Sequence, residues 1–404
     1  MSQQTFTRPI YILFLVLPSG INIGFATVTL PYLLTYHGFS VARTAAIVAL
    51  GVSASLWRFA GGPIVDLSLS LRKWHFIAVL ISIISIFLLS VTPIDINKFI
   101  LFTIIYFISQ LAANLILLPV GGYMANCIEP GRKGRAAGWY QAGNLGGVGL
   151  GGGAGLWLAT HFSEVTAGII LSVLSLLSGL FVFLIRDIQH EKGKRLITEL
   201  TGMGKDLLSM IRVPVVLFVI MMLCMPIGTG AAVNLWSAIA ADWKTDADTV
   251  ALVTGILSGL VSVIGSIAGG LIADRWGNWK AYMGAGLVCA IVTFIMAALP
   301  LVPYVYILGV LGYAFGLGLF NAAFSSVILF AIGKKNASTK YALISSIGNL
   351  PVVYMTTFDG WTHDRFNSTI MLIAESVIGF VFIIICILAI KKLKTKNLLI
   401  QPGD

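Results

Sequence analysis

Arg58 sits inside a long apolar stretch, where a guanidinium costs about 2.5–3.5 kcal/mol on membrane-insertion scales. Its planar fork suits a carboxylate or a phosphate, so one reading makes it an anion anchor inside a cavity. The other has its stem run along apolar surface to the interface, or its head bond backbone carbonyls. Amides recur in equally apolar surroundings: Asn22, Gln110, Asn114, Gln141, Asn144, Asn234, Asn321 and Asn349. Each either lines a wet substrate cavity or bonds a neighbouring helix, a contact contributing roughly 0.6–2 kcal/mol. Trp236, Tyr140 and Tyr354 offer ring faces that stack on a substrate or simply pack. The acids deepest in apolar runs are Asp359 and Glu375. Both are candidates for proton coupling, against the plainer reading of an interfacial salt bridge with Arg365 or a hydrated rim. No His, Cys, Asp or Glu cluster has the spacing of a metal site, and neither a metal nor a cofactor is expected. Gly147-Val148-Gly149-Leu150-Gly151-Gly152 has the form GxGxxG, but no strand precedes it, so a dinucleotide loop is not expected. The glycines from Gly146 to Gly155 would instead let helices approach and slide, as a hinge needs.

The elements that must position these residues follow from composition. The 404 residues are 58% hydrophobic and only 10% charged, with a mean hydropathy of +0.95. Ordinary soluble domains carry about a quarter charged residues, so a cytosolic enzyme, a disordered chain and a secreted disulfide scaffold are all excluded. The 4 cysteines (Cys127, Cys224, Cys289, Cys386) lie far apart in or beside apolar runs and read as small core residues. A bilayer-spanning helix needs about 20 apolar residues. Twelve segments qualify: 9–36, 42–66, 74–93, 99–127, 136–160, 164–186, 213–240, 249–272, 281–300, 303–332, 340–362 and 369–390. Their lengths predict an all-α integral membrane protein, not a β-barrel. The first segment opens Arg8-Pro9 and continues through Pro18 and Pro31 with no small-residue cleavage site, so it reads as a retained helix.

The net charge of +10 is distributed by side. With the N-terminus inside, the outer loops carry only Arg43, Lys98, Lys244 and Arg365, and Arg58 falls within a span. Every other lysine and arginine lies in the opposite set of segments, which predicts both termini in the cytoplasm. The basic balance is therefore topology, and no nucleic-acid partner is expected. The partners expected are the lipid bilayer, a small-molecule substrate and, if the acids work, a coupling proton, with the chain acting as a monomer. The segment 187–212 divides a first bundle, 1–186, from a second, 213–404. It reads either as a plain cytoplasmic linker or as an amphipathic helix on the membrane surface.

The halves repeat. Gly61-Gly62-Pro63-Ile64-Val65-Asp66 ends span two and Gly269-Gly270-Leu271-Ile272-Ala273-Asp274 ends span eight. Asn114 corresponds to Asn321, and Gly143-Asn144-Leu145 to Gly348-Asn349-Leu350, at nearly the same offset. Arg58 corresponds to Ser266, so the architecture does not itself require the arginine. Such parallel duplication builds transporters with the substrate site between the halves.

The stretch from Gly270 through Asp274, Arg275 and Gly277 to Lys280 resembles the loop motif of the major facilitator superfamily, at the place where that family carries it. The first-half copy keeps Asp66, Arg72 and Lys73 but has Leu67-Ser68-Leu69 in place of the Arg-x-Gly. The resemblance implies two six-helix bundles that rock about a central cavity. It also implies a charge latch at the cytoplasmic helix ends. Trp57 to Asp66, the Glu129–Arg135 loop and the Thr339–Ser346 entry to span eleven are similar to patches of the AmpG-like and acetyl-CoA-transporter-like branch. That branch implies a permease for a muropeptide, a siderophore or an acyl-CoA-like solute, with import expected; Arg58 makes the expected solute small, polar and anionic, and the short loops suit a bacterial inner membrane. A drug or lipid exporter of the same fold is the alternative. A membrane-embedded enzyme would need a convergent nucleophile and base or a carboxylate pair, and none is evident in the sequence.

Overall fold

A chain segment surrounded by lipid must satisfy its own N–H and C=O groups, which a helix does within one segment. The computed structural model describes residues 7–95, 98–129, 133–186, 201–202, 214–332 and 343–395, and these form helices with no strand among them. The inter-bundle segment 187–212 lies almost wholly outside the described residues.

Span one runs as one rod over Tyr11–Tyr36, with a wider π turn at Phe25–Thr29. Span two is Val41–Ser53, a tighter turn at Ala54–Trp57, then Arg58–Leu67. Spans three, four and six are Leu71–Val91, Phe99–Asn126 and Glu164–Gly179, the last continued by a turn at Leu180–Leu184. Span five is Lys133–Val148, a π segment Gly149–Ala154, and Gly155–His161. In the second half, span eight is Ala247–Val250, a π segment Ala251–Leu257 and Ser258–Trp276. Spans nine, ten and twelve are Asn278–Ala298, Pro303–Ile332 and Ser368–Thr395. Span eleven includes Leu350–Arg365. Span seven is a different object: Pro214–Leu223, an unwound stretch, then short turns at Ala231–Asn234, Trp236–Ile239 and Ala240–Trp243.

Among the described residues, eight helices are long and apolar enough to cross a bilayer by length and composition. Spans two, five, seven and eleven fall outside that group. A turn interrupts span two at Arg58, glycines dilute span five, span seven is broken, and span eleven carries many polar residues.

Within the first half, span one packs on spans four, five and six, and span three on spans four and six. Within the second, span ten packs on eight and nine, and span twelve on nine and eleven. The halves meet where Val41–Ser53 lies along Leu350–Arg365, where the two π segments face each other, and where Leu30–Tyr36 meets Trp236–Ile239. One buried cluster joins Val28, Val41, Ala45 and Leu156 of the first half to Trp236, Ile239, Trp243 and Tyr306 of the second. These contacts seal the end bearing the loop at 37–40. Toward the basic end, which carries Arg72, Arg275 and Lys280, no comparable seam joins the halves among the described residues.

Small residues set the approach distances. A Cβ on Gly147 would stand 2.7 Å from the Gly20 Cα, and one on Gly151 would run into the Ile21 carbonyl, both within the first half. Between halves, a Cβ on Gly255 would stand 2.6 Å from the Gly153 Cα. Gly151→Ala should therefore lower the melting temperature of the purified protein, by overpacking worth roughly 1–3 kcal/mol. Gly255→Ala should instead separate the halves at the sealed end. Its signature is faster thiol labelling of a cysteine placed at Ala45, with the bundle intact. Equal labelling rates in Gly255→Ala and wild type would show that this contact does not hold the seam.

Candidate functional site

The break in span seven is built from Met225-Pro226-Ile227-Gly228-Thr229-Gly230. Pro226 has no N–H to continue a helix, and Gly228 and Gly230 take positive φ values of 56° and 76°, which favour glycine. The break opens an uncovered cleft of about 350 Å³. Thr229, Asn321, Asn349 and Tyr282 supply its polar groups, and Phe320 and Phe324 its apolar wall. The Tyr354 hydroxyl donates to the Cys224 carbonyl at 2.9 Å, tying span eleven to the end of the first helical piece. The Asn234 amide donates to the Thr356 hydroxyl at 3.0 Å and ties the two spans again beyond the break. Half-unwound helices expose backbone dipoles and hydroxyls to a solute. The sequence reading took 213–240 as one helix, and the break corrects it. Pro226 with two nearby glycines is the signal that marks the position.

Arg58 begins the second helical piece of span two, beside the exposed Trp57, and is only partly buried. It forms no ion pair with any described residue, and its charge acts on Tyr140 of span five. Gln141, on the same span as Tyr140, is exposed.

A family model described as Major Facilitator Superfamily matches residues 12–356. The chain belongs to that superfamily. It is accordingly a multi-pass membrane transporter and not an enzyme, and its solved neighbours are transporters too. The nucleoside transporter NupG is 14% identical, with a TM-score of 0.73 over 95% of this chain and 99% of that one. A D-xylose-proton symporter is 16% identical, with a TM-score of 0.69 over 93% and 96%. A bacterial homologue of the human lysosomal transporter Spinster, solved inward-facing and unoccupied, is 14% identical, with a TM-score of 0.76 over 98% of each chain. At such identities the likeness is one of fold. No curated protein matches the chain.

Against this superfamily fold, the other expected site residues separate. Asn22 is fully buried: its amide nitrogen donates to the Ser82 hydroxyl at 2.6 Å, and its oxygen accepts from Ser109 at 2.9 Å and Gln110 at 2.8 Å. That network knots spans one, three and four together inside the first half. Asn114 donates to the Gln110 carbonyl one turn back on its own helix. Trp236 is sealed in the core between the halves, edge-on to Tyr313, and its carbonyl accepts from the Tyr306 hydroxyl at 2.8 Å. Asn144 is partly buried, and its side-chain oxygen has no hydrogen-bond partner. The structure therefore brings Asn321 and Asn349 together and places Asn22, Gln110 and Trp236 in the packing. Thr229, Thr356 and Tyr313 are polar groups at the site that the sequence reading did not single out.

At the basic end, Arg72 donates to the Ile185 carbonyl at 2.6 Å, with its guanidinium 5.9 Å from the Phe183 ring centre. It thus braces span three against the end of span six. Lys73, Arg275 and Lys280 are exposed, and Arg275 and Lys280 form no ion pair with any described residue. Gly270 is partly buried. Gly277 takes φ +90° between spans eight and nine, which accounts for the glycine of the loop motif. Glu129 is described and partly buried. The side chains of Asp66, Asp274 and Arg135 lie outside the described residues.

At the sealed end, beyond span eleven's apolar run, His363 meets Asp242 at 2.7 Å and Asp364 at 3.4 Å, and Ser368 donates to Asp242. Burial pushes the Asp242 carboxyl up, but the hydrogen bonds from His363 and Ser368 and the histidine's charge outweigh it and hold the group below its ordinary value. Burial pulls His363 down, but its bonds to Asp242 and Asp364 and their charges outweigh that and raise it above 6.5. A raised histidine contributes stability that is complete below its ordinary value and is lost as pH rises through its folded value. The depressed Asp242 contributes stability that is lost as pH falls through its own folded value. The melting temperature should therefore decline as pH climbs above 6.5. In His363→Gln that component of the decline should vanish. Parallel melting curves for both proteins across this range would show that the cluster carries no pH-linked stability.

Proposed function

We propose that this protein is a secondary transporter importing a small polar, anionic solute by alternating access, of the muropeptide, siderophore or acyl-CoA type that the AmpG-like resemblance suggests. The observation that carries the reading is Arg58, a partly buried guanidinium inside a span with no anionic partner among the described residues. A cation without a counter-ion in an apolar setting gains most from an anion that arrives with the solute. The cleft at the span-seven break supplies hydroxyl and amide groups that suit the polar remainder of the solute: Thr229, Asn321 and Asn349. Gln141 of span five and Tyr354 of span eleven are further exposed polar groups within the spans.

With the basic end placed in the cytoplasm by its lysines and arginines, the seam between spans two and eleven is the outer closure and the unjoined end faces inward. The bacterial inner membrane is the matching location, and a monomer suffices because each half brings part of the site. Asp66 with Arg72 and Lys73, and Asp274 with Arg275 and Lys280, would then close the inner end in the opposite state, assisted by Glu129 and Arg135.

Thermal stabilisation of the purified protein tests the solute class. The panel holds muropeptides and anhydro-sugars, siderophores, acyl-CoAs and neutral lipophilic drugs. A ligand at 100 times its Kd should stabilise by about 2.7 kcal/mol. An anionic solute should raise the melting temperature of wild type, and Arg58→Ala should abolish that rise while melting normally without ligand. Stabilisation by lipophilic compounds alone would instead favour the exporter.

A further inference from the structure

Two carboxyl groups do not line the proposed solute cleft. Asp359 of span eleven is 0% exposed, and neither of its oxygens has a hydrogen-bond partner. Glu375 of span twelve is 9% exposed. Its Oε1 accepts from the Tyr313 hydroxyl of span ten at 2.6 Å, and its Oε2 has no partner. Glu375 is near enough for its charge to act on Asp359. The other titratable group against the pair is the buried Cys289 thiol of span nine. The piece of span two that packs along span eleven from the other half, Val41–Ser53, has Arg43 as its one charged residue, exposed near the loop end. On span eleven itself the next charged groups are His363, Asp364 and Arg365, the first two engaged with Asp242 or each other. No described cation forms an ion pair with either acid. Two adjacent carboxylates sealed from water without a counter-charge cannot both be ionised.

Their position links them to both closures. Asp359 precedes Gly360, whose missing side chain is what lets span eleven lie on Val41, Ala42 and Ala45 of span two, so the pair sits just under the seam that seals this end. On its other side, Glu375 lines a second cavity with Thr229, Cys289 and Thr293. Thr229 also lines the cleft that holds Asn321 and Asn349. One residue of the span-seven break therefore borders both the cavity of Glu375 and the proposed solute cleft.

We propose that Asp359 and Glu375 form the coupling-ion site of this transporter and share one proton, taken up from the outer side as the span-two–span-eleven seam closes, held while it is sealed, and lost past Thr229 to the inner side as the seam reopens. The inference rests on the transporter reading above. The proton passes from outer water to a carboxylate and from the resulting acid to inner water, so no other reactant is needed. Among the described residues no group of three or more His, Cys, Asp or Glu stands together to cage a metal cation. The sealed state thus carries one more proton than the open one, and acid favours sealing.

Spin labels at Arg43 and Trp361, both exposed on the two helices of the seam, report the opening by their separation in liposomes. The probes are pH and sodium ion alone. In wild type the sealed-to-open ratio should rise as pH falls, by up to about tenfold per pH unit for one linked proton. Asp359→Asn and Glu375→Gln should hold the seam sealed, with a ratio that changes by less than roughly twofold over the same range. Asp359→Glu, which keeps an acid, should restore the response, and His363→Gln should leave it intact. Should Asp359→Asn fail to fold, Glu375→Gln alone gives the same reading. An unchanged pH response in Glu375→Gln, a response that follows sodium instead of pH, or a seam insensitive to pH in wild type would each overturn the proposal. Anion-induced stabilisation through Arg58 is scored separately, so the solute reading can stand or fall without this one.

Discussion

A backbone carbonyl without a hydrogen-bond partner is the group this chain can least tolerate inside a bilayer. Its departures from helix occur where a hydroxyl is at hand to take the carbonyl that is set free. At the span-seven break, Tyr354 takes the Cys224 carbonyl, and Tyr306 takes that of Trp236 just beyond it. At the π turn of span one, Tyr106 takes the Ala26 carbonyl, and Thr29 reaches the carbonyls of Gly151 and Gly152 in the π segment of span five. Tyr106 lies on span four and Tyr306 on span ten, so the two halves use the same device at related places. Irregular backbone at this depth is sustained only beside protein or a water-filled space. The fully opened break in span seven accordingly coincides with a cleft.

Close backbone approach sets the rest. Glycines on both faces of span five let it lie against span one on one side and span eight on the other. The first contact holds a bundle together, and the second joins the halves. Small residues gain packing without filling space that a sliding partner must cross. The seam between spans two and eleven is made alike, with Gly360 against Ala45. Polar knots behave differently. Asn22 with Ser82, Ser109 and Gln110 is entirely internal to one half, and such a network fixes the helices it joins. The polar knot lies within a half, whereas the closest backbone approaches between halves are made by small residues, an arrangement suited to two bodies that rock.

Much of this was legible in the residues. The apolar runs located the spans, and the duplicated Gly-Gly…Asp ends and paired asparagines revealed two related halves. The Gly270–Lys280 stretch pointed to the superfamily that the family match then showed. What was not legible has a common cause. A helix with lipid on one face and protein on the other is apolar all round, so periodicity no longer says which face is which. Asn22 and Asn321 looked alike in sequence, yet one is buried in a knot and the other is exposed at the cleft. Trp236 offered an aromatic face and proves to be core. Asp359 and Glu375 lay in neighbouring spans, but only the fold shows them beside each other under Tyr313. The broken helix carried a local signal in Pro226, Gly228 and Gly230, outweighed by the apolar length around it.

The distribution of charge gives these pieces a common logic. The first half holds a cation inside its spans, Arg58, which pairs with no acid among the described residues. The second half buries two acids inside its spans, Asp359 and Glu375, and no cation among the described residues pairs with them. Had the chain paired them, the resulting ion pair would bridge the halves and lock one state, because breaking a buried pair leaves two bare charges. Kept apart, each is neutralised only by something that arrives: an anionic solute for Arg58, a proton for Asp359 and Glu375. With both loaded, neither half presents a bare charge as the seam opens or closes. With only one loaded, the other half does, and rocking carries that desolvation cost. On the proposed assignment, coupling between solute and proton thus needs no direct contact between their sites. It follows from two charges of opposite sign held in separate bodies that must move past each other.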